Sequence, residues 1–225
     1  MRKKERFDIR GFSFEQFIDF LFDHESSKPD VENGKPTKWN PWFFSARVEF
    51  DPQVVCVYYT DLFRDSFFLA DRFSKAQLDE GFWAIQATGL DCSAYRTVWD
   101  KKLDFGLRQD CVRSMAALFE SLFFNDGLDT AVYMWWDSFC YDFHCGNKKR
   151  SNGGEEMAMQ DVLFETLLTI LWFNSDVCRA AALHGLSHLH HPGTEEVIRR
   201  YLDEAPFLNN DVRVMAQAAA QFKLQ

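Results

Sequence analysis

Two histidines one helical turn apart mark the first place where chemistry could gather in this chain. They lie in His184-Gly185-Leu186-Ser187-His188, with His190 and His191 just beyond. Side chains at i and i+4 share a helix face, so His184 and His188 could hold one metal ion between them. The stretch is not the His-Glu-x-x-His protease motif, because Gly185 stands where the general-base glutamate belongs. The plainer reading is a buried pair, hydrogen-bonded to backbone or to a carboxylate. His190 and His191 fall at the helix end, where a cation suits the dipole, and read as capping residues.

A second group is Asp137, Cys140, Tyr141, Asp142, His144 and Cys145, on and beyond an aromatic stretch. A carboxylate buried there needs a partner such as an arginine or a histidine. Cys140 and His144 share a face, as a thiol–imidazole nucleophile pair would. Such a pair also needs a pocket, so core packing with a structural ion pair is the favoured reading. Asp137, His144, His184 and His188 form a composite candidate site only if their two helices face each other. Whether that site takes a metal is not decided by the residue types.

Two further segments carry binding potential. Residues 145–154 hold Lys148, Lys149, Arg150, Asn152, Gly153 and Gly154. The spacing is not that of a phosphate loop. The segment is a solvated turn, or a basic loop that docks an anion or an acidic partner. Residues 39–44 read Trp-Asn-Pro-Trp-Phe-Phe and are expected to dock on the body rather than stay exposed.

The elements that must position these groups are helices. Ser13–Gln16 and Ser74–Gln77 read as capping boxes, and Asp51-Pro52 as an N-cap followed by proline at the first helical position. Residues 24–44 hold three prolines and read as a long surface segment. Residues 104–124 continue as helix, and residues 130–144 are apolar nearly all round, which predicts one buried central helix. Helices over 155–173, 176–190, 194–202 and 211–223 complete the chain. Only residues 47–50 hint at a strand, so the expected class is all-α. We read one domain over 1–225, with an N-terminal helical part (12–103) and a second helical part (104–225).

Self-similarity appears near the C-terminus. Arg179 and Arg213 each have an alanine three residues on, Ala182 and Ala216, and each lies near an aspartate, Asp176 and Asp211. Arg113, with Ala116 and Asp110, lies close to two further periods upstream. Residues 176–225 thus resemble HEAT-type helical repeats, an α-solenoid pattern, and residues 110–124 do so weakly. The resemblance implies that the alanines allow close helix approach and that the arginines and aspartates form polar ladders between repeats. Under this alignment His184 replaces Leu118 and Ala218, and His188 replaces Leu122 and Phe222. Both histidines therefore stand where an apolar residue would face a neighbouring helix. The whole chain also resembles, more loosely, bacterial proteins without an assigned activity.

Totals bound the function. The 225 residues include 24 Phe, 7 Trp and 6 Tyr, against 11 Gly and 6 Pro, which excludes disordered and collagen-like classes. A net charge of −9 argues against nucleic-acid and anionic-membrane binding and suits a basic protein partner. No apolar run approaches a membrane span, and the charged N-terminus lacks a signal-peptide core, so a cytoplasmic protein is expected. The six cysteines show no Cys-x-x-Cys spacing and read as reduced, mostly buried thiols. No cofactor motif is present, and none is expected. The expected function is a non-catalytic protein-binding module, an adaptor or neutralising binder, with a metal-assisted hydrolase using the His/carboxylate site as the alternative.

Overall fold

The computed structural model describes residues 5–25, 31–32, 35–36, 41–124, 128–205 and 208–224. Local sequence sets most helix starts. Ser13 Oγ accepts from the Gln16 N–H at 3.3 Å, and the Gln16 side chain accepts from the Ser13 N–H at 2.9 Å. This capping box opens α1 (Phe14–Phe22). The Asp51 carboxylate caps α2 (Pro52–Arg64). After the short α3 (Leu69–Arg72), a second capping box at Ser74 opens α4 (Lys75–Gln86).

The chain then runs through α5 (Ala94–Val98) and α6 (Phe105–Leu118), which continues as a π turn over Phe119–Phe123. Next come α7 (Asp129–Tyr133), α8 (Asp137–His144) and α9 (Gly154–Leu171). The last three are α10 (Asp176–Leu189), α11 (Thr194–Glu204) and α12 (Asn210–Ala219). The fold is mostly helical, as expected.

Helix packing links the two ends of the chain. α2 packs on α6, α6 on α9, and α9 on α10, while α10 also meets α7, α8 and α12. One contiguous hydrophobic cluster runs from Ile9 to Ala219. The aromatic load fills it. Trp135 is fully buried and takes the rings of Phe63 and Phe123 at 5.7 Å and Phe82 at 6.0 Å, all edge-on. Edge-to-face contacts of this kind add to the apolar burial itself. Among the described residues, no helix is long and apolar enough to cross a membrane.

Three features depart from the expected elements. A parallel strand pair joins β1 (Glu5–Asp8) to a strand over Ala46–Glu49, in the register Glu5↔Ala46 to Asp8↔Glu49. The first strand is only four residues with one apolar side chain, so its pairing comes from a distant partner rather than from its own pattern. The stretch over 130–144 is not one helix. Residues 134–136 turn tightly, with Trp135 N bonded to Val132 O and Asp137 N to Met134 O. Each bond spans three residues instead of four, which lets both Trp135 and Trp136 enter the core. Lastly, the Arg179–Asp176 pair, at 3.0 Å, lies within α10. One tie toward α12 runs from the Asn209 amide, its N-cap, to Asp176.

Part of the aromatic segment over 39–44 lies outside the described residues. Of the rest, Phe43 is buried and Trp42 stacks on His24 at 4.0 Å, while Phe44 is exposed. Docking therefore holds for Trp42 and Phe43 and fails for Phe44.

Candidate functional site

The break at 134–136 fixes where α8 begins and puts Asp137 in its first turn. α8 packs against α10. Gly185 makes the approach possible. A Cβ there would come within 2.7 Å of Leu167 on α9 and 2.8 Å of Trp136, inside any real contact distance. The glycine that removes the protease motif thus lets the α10 backbone press close to α9 and Trp136. His184 and His188 flank it on α10.

The consequence is a tight cluster. His184 Nε2 and His188 Nε2 lie 2.7 Å apart. Asp137 Oδ1 is 3.2 Å from the first and 3.3 Å from the second. Both imidazoles are buried, while the Asp137 side chain keeps 28% of its exposure. Asp137 Oδ1 itself is sealed from solvent, yet among the described residues no N–H is aimed at it. Together these are three ligand-type atoms converging on one point.

The protons can be placed in part. His184 Nδ1 lies 3.1 Å from the Tyr133 carbonyl, which can only accept. Nδ1 therefore carries a proton, and Nε2 is the nitrogen that points at the cluster. The Tyr133 ring stacks on His184 at 4.3 Å and fixes its plane. His188 Nδ1 has no hydrogen-bond partner among the described residues. Burial, together with the neighbouring His184, His144 and His190, pulls the His188 pKa down to about 4, so the ring is neutral near pH 7. Burial raises the Asp137 pKa, opposed by His184 and His144.

His144 forms the rim. It is exposed and its ring centre sits 5.0 Å from that of His188. Its Nδ1 meets His190 Nε2 at 3.0 Å. His190 adopts a left-handed backbone at the end of α10 (φ 51°), and its ring stacks on Phe222 at 4.5 Å. So His190 ends the helix but turns its side chain toward the cluster. His191 is separate: it accepts from Gly193 N–H through Nδ1, donates to Asp161 and stacks on Phe164.

The structure thus brings Asp137, His184 and His188 together, with His144 adjacent. It does not support the Cys140–His144 nucleophile pair. Cys140 is fully buried, and burial pushes its thiol pKa well above the ordinary range. Such a thiol stays protonated and is a poor nucleophile.

The basic loop is also largely committed. Lys148 pairs with Asp142 and lies over the Trp99 ring at 4.2 Å. Arg150 pairs with Asp161 at 2.5 Å. Of the three cations, Lys149 is exposed. For Asp142, burial would raise the pKa, but hydrogen bonds from Lys148, Asn147 and Tyr95 outweigh it and leave the carboxyl below its ordinary range.

A feature that sequence reading missed lies beside this loop. A cleft of about 660 Å³ is lined by Phe50, Tyr95 and Trp99, by Asp91 and Asp100, and by Arg96 among others. Tyr95 donates to Asp142 at 2.8 Å, so α8 touches this cleft through Asp142 and the histidine cluster through Asp137. The residues come from two separate stretches, 50–52 and 88–100, and no local motif announces them. No family model matches the chain, and no similar protein was found among the curated proteins or the solved structures.

Proposed function

We propose that the protein is a non-catalytic helical interaction module, an adaptor or neutralising binder for a basic protein partner. The cleft beside α5 carries this reading. It combines three aromatic rings with Asp100 and with Asp91, which Arg47 already engages at 3.3 Å, and Arg96 also lines it; the rings and Asp100 are the groups that suit a lysine or arginine side chain. Lys148 already lies over two of those rings, 4.2 Å from Trp99 and 5.8 Å from Tyr95. The net charge of −9 favours approach of a basic surface. In this reading the helices α9–α12 act as a HEAT-like array. Packing of α10 against α9 and α12, and the Asp176–Asn209 tie, support that arrangement.

The test is capture of a binding partner by the tagged full chain, repeated at rising salt and with Asp100→Lys. The reading requires a basic partner, captured at low salt, released at high salt and lost with the charge reversal. A partner that is acidic, or retained by Asp100→Lys, counts against it.

A second reading, a metal-assisted hydrolase, is favoured by the Asp137–His184–His188 cluster alone. Hydrolysis of ester or phosphoester substrates that depends on added metal and disappears in His188→Gln would support it.

A further inference from the structure

We propose that Asp137, His184 and His188 form a binding site for a zinc-class divalent metal ion. Asp137 Oδ1 and the two Nε2 atoms are the ligands, and one coordination position faces an outside group. The proposal stands apart from the interaction reading and does not depend on it.

The geometry is the first argument. Zinc sits about 2.0–2.2 Å from imidazole nitrogen and carboxylate oxygen in tetrahedral sites. That geometry separates neighbouring ligand atoms by about 3.3 Å. The two Asp137 edges, 3.2 and 3.3 Å, match it. The His184–His188 edge is 2.7 Å and must open by roughly half an ångström, a small ring rotation.

Proton placement is the second argument. A histidine ligand usually gives its other N–H to a carbonyl or carboxylate. His184 does so, to the Tyr133 carbonyl at 3.1 Å, and its Nε2 is the nitrogen turned to the metal position. Protons alone satisfy the cluster poorly. At most one proton fits between two Nε2 atoms 2.7 Å apart, and among the described residues no N–H is aimed at the solvent-sealed Asp137 Oδ1. A cation at their centre would engage all three atoms at once.

Donor type sets the metal class. Two imidazoles and one carboxylate select zinc and its first-row neighbours over calcium or magnesium, which prefer all-oxygen shells. Both histidines are buried and Asp137 is half-buried, so the outside position opens on the Asp137 side, near the exposed His144 and Tyr141.

The full chain, stripped with EDTA, is titrated with zinc and separately with cobalt(II), beside His184→Gln, His188→Gln and His191→Ala. Glutamine keeps volume and polarity, and circular dichroism checks that each variant folds. One equivalent per chain is expected, with the visible absorption of tetrahedral cobalt. His184→Gln and His188→Gln should weaken binding by at least about 100-fold, while His191→Ala binds like wild type. Substoichiometric uptake by the wild type overturns the proposal. So does uptake unchanged in both glutamine variants, or lost equally in His191→Ala. The wild-type cobalt spectrum needs no variant: octahedral, weak absorption also overturns the assignment.

Discussion

The Nε2 atoms of His184 and His188 face each other across 2.7 Å, and the Asp137 carboxylate closes the triangle. The arrangement depends on the α10 backbone lying close to Trp136, and Gly185 permits that approach.

Gly185→Ala is therefore expected to destabilise the protein by about 1–3 kcal/mol, the range for overpacking a filled core. Helix propensity alone would favour alanine by up to about 1 kcal/mol, so the sign separates crowding from propensity. Chemical denaturation of wild type and variant reads the difference. A stabilised variant would show that the contact with Leu167 and Trp136 relaxes at little cost.

Asp142 gives a pH dependence. Its folded-state pKa lies below the ordinary 3.8 despite the opposing effect of burial, because Lys148, Asn147 and Tyr95 donate to it. A depressed pKa contributes stability above the unfolded value, and that contribution disappears as pH falls through the folded value. Asp142→Asn should thus be less stable than wild type near pH 7 by about 1–3 kcal/mol. The gap should begin to close below roughly pH 4. Urea unfolding at pH 7, 4 and 3 checks it. A gap that stays constant would mean Asp142 acts through shape rather than charge.

Arg108 and Glu155 form an asymmetric pair. They meet at 2.8 Å, but Arg108 is 2% exposed and Glu155 43%. Removing Glu155 strands a buried guanidinium, while removing Arg108 leaves a carboxylate that water can reach. Glu155→Ala should cost about 3 kcal/mol. Arg108→Met, which keeps the volume, should cost less than about half of that. Equal losses in thermal unfolding would refute the asymmetry.

Of the six cysteines, all unbridged, five are buried and Cys145 is exposed. A thiol reagent should label one cysteine rapidly in the folded protein and the other five only after unfolding. Cys145→Ser should abolish the fast phase. Two or more fast thiols would contradict the burial described for α8 and its neighbours.

Much of this structure was written locally. Ser13, Asp51 and Ser74 cap their helices because each cap needs only the next two or three N–H groups. His184 and His188 share a face because i and i+4 always do on a helix. The apolar character of 130–144 and the phenylalanine excess pointed to core duty, and Trp135, Trp136, Phe139 and Phe123 are all fully buried.

What lay beyond the sequence depends on distant partners. The tight turn at 134–136 follows from where two tryptophan rings must go, which helical periodicity does not encode. The β1 strand exists because Ala46–Glu49 lies beside it. The commitment of Lys148 and Arg150 to Asp142 and Asp161, and the cleft at Tyr95 and Trp99, arise where separate segments meet. By itself the sequence determined that two histidines share one face of a helix and that a nearby aspartate needs a partner. Only the tertiary structure decided that the two are one site. His184 bonds Tyr133 on α7 across 51 positions of chain, and such proximity is set by the packing of α7 and α8 on α10 rather than by local conformational preference.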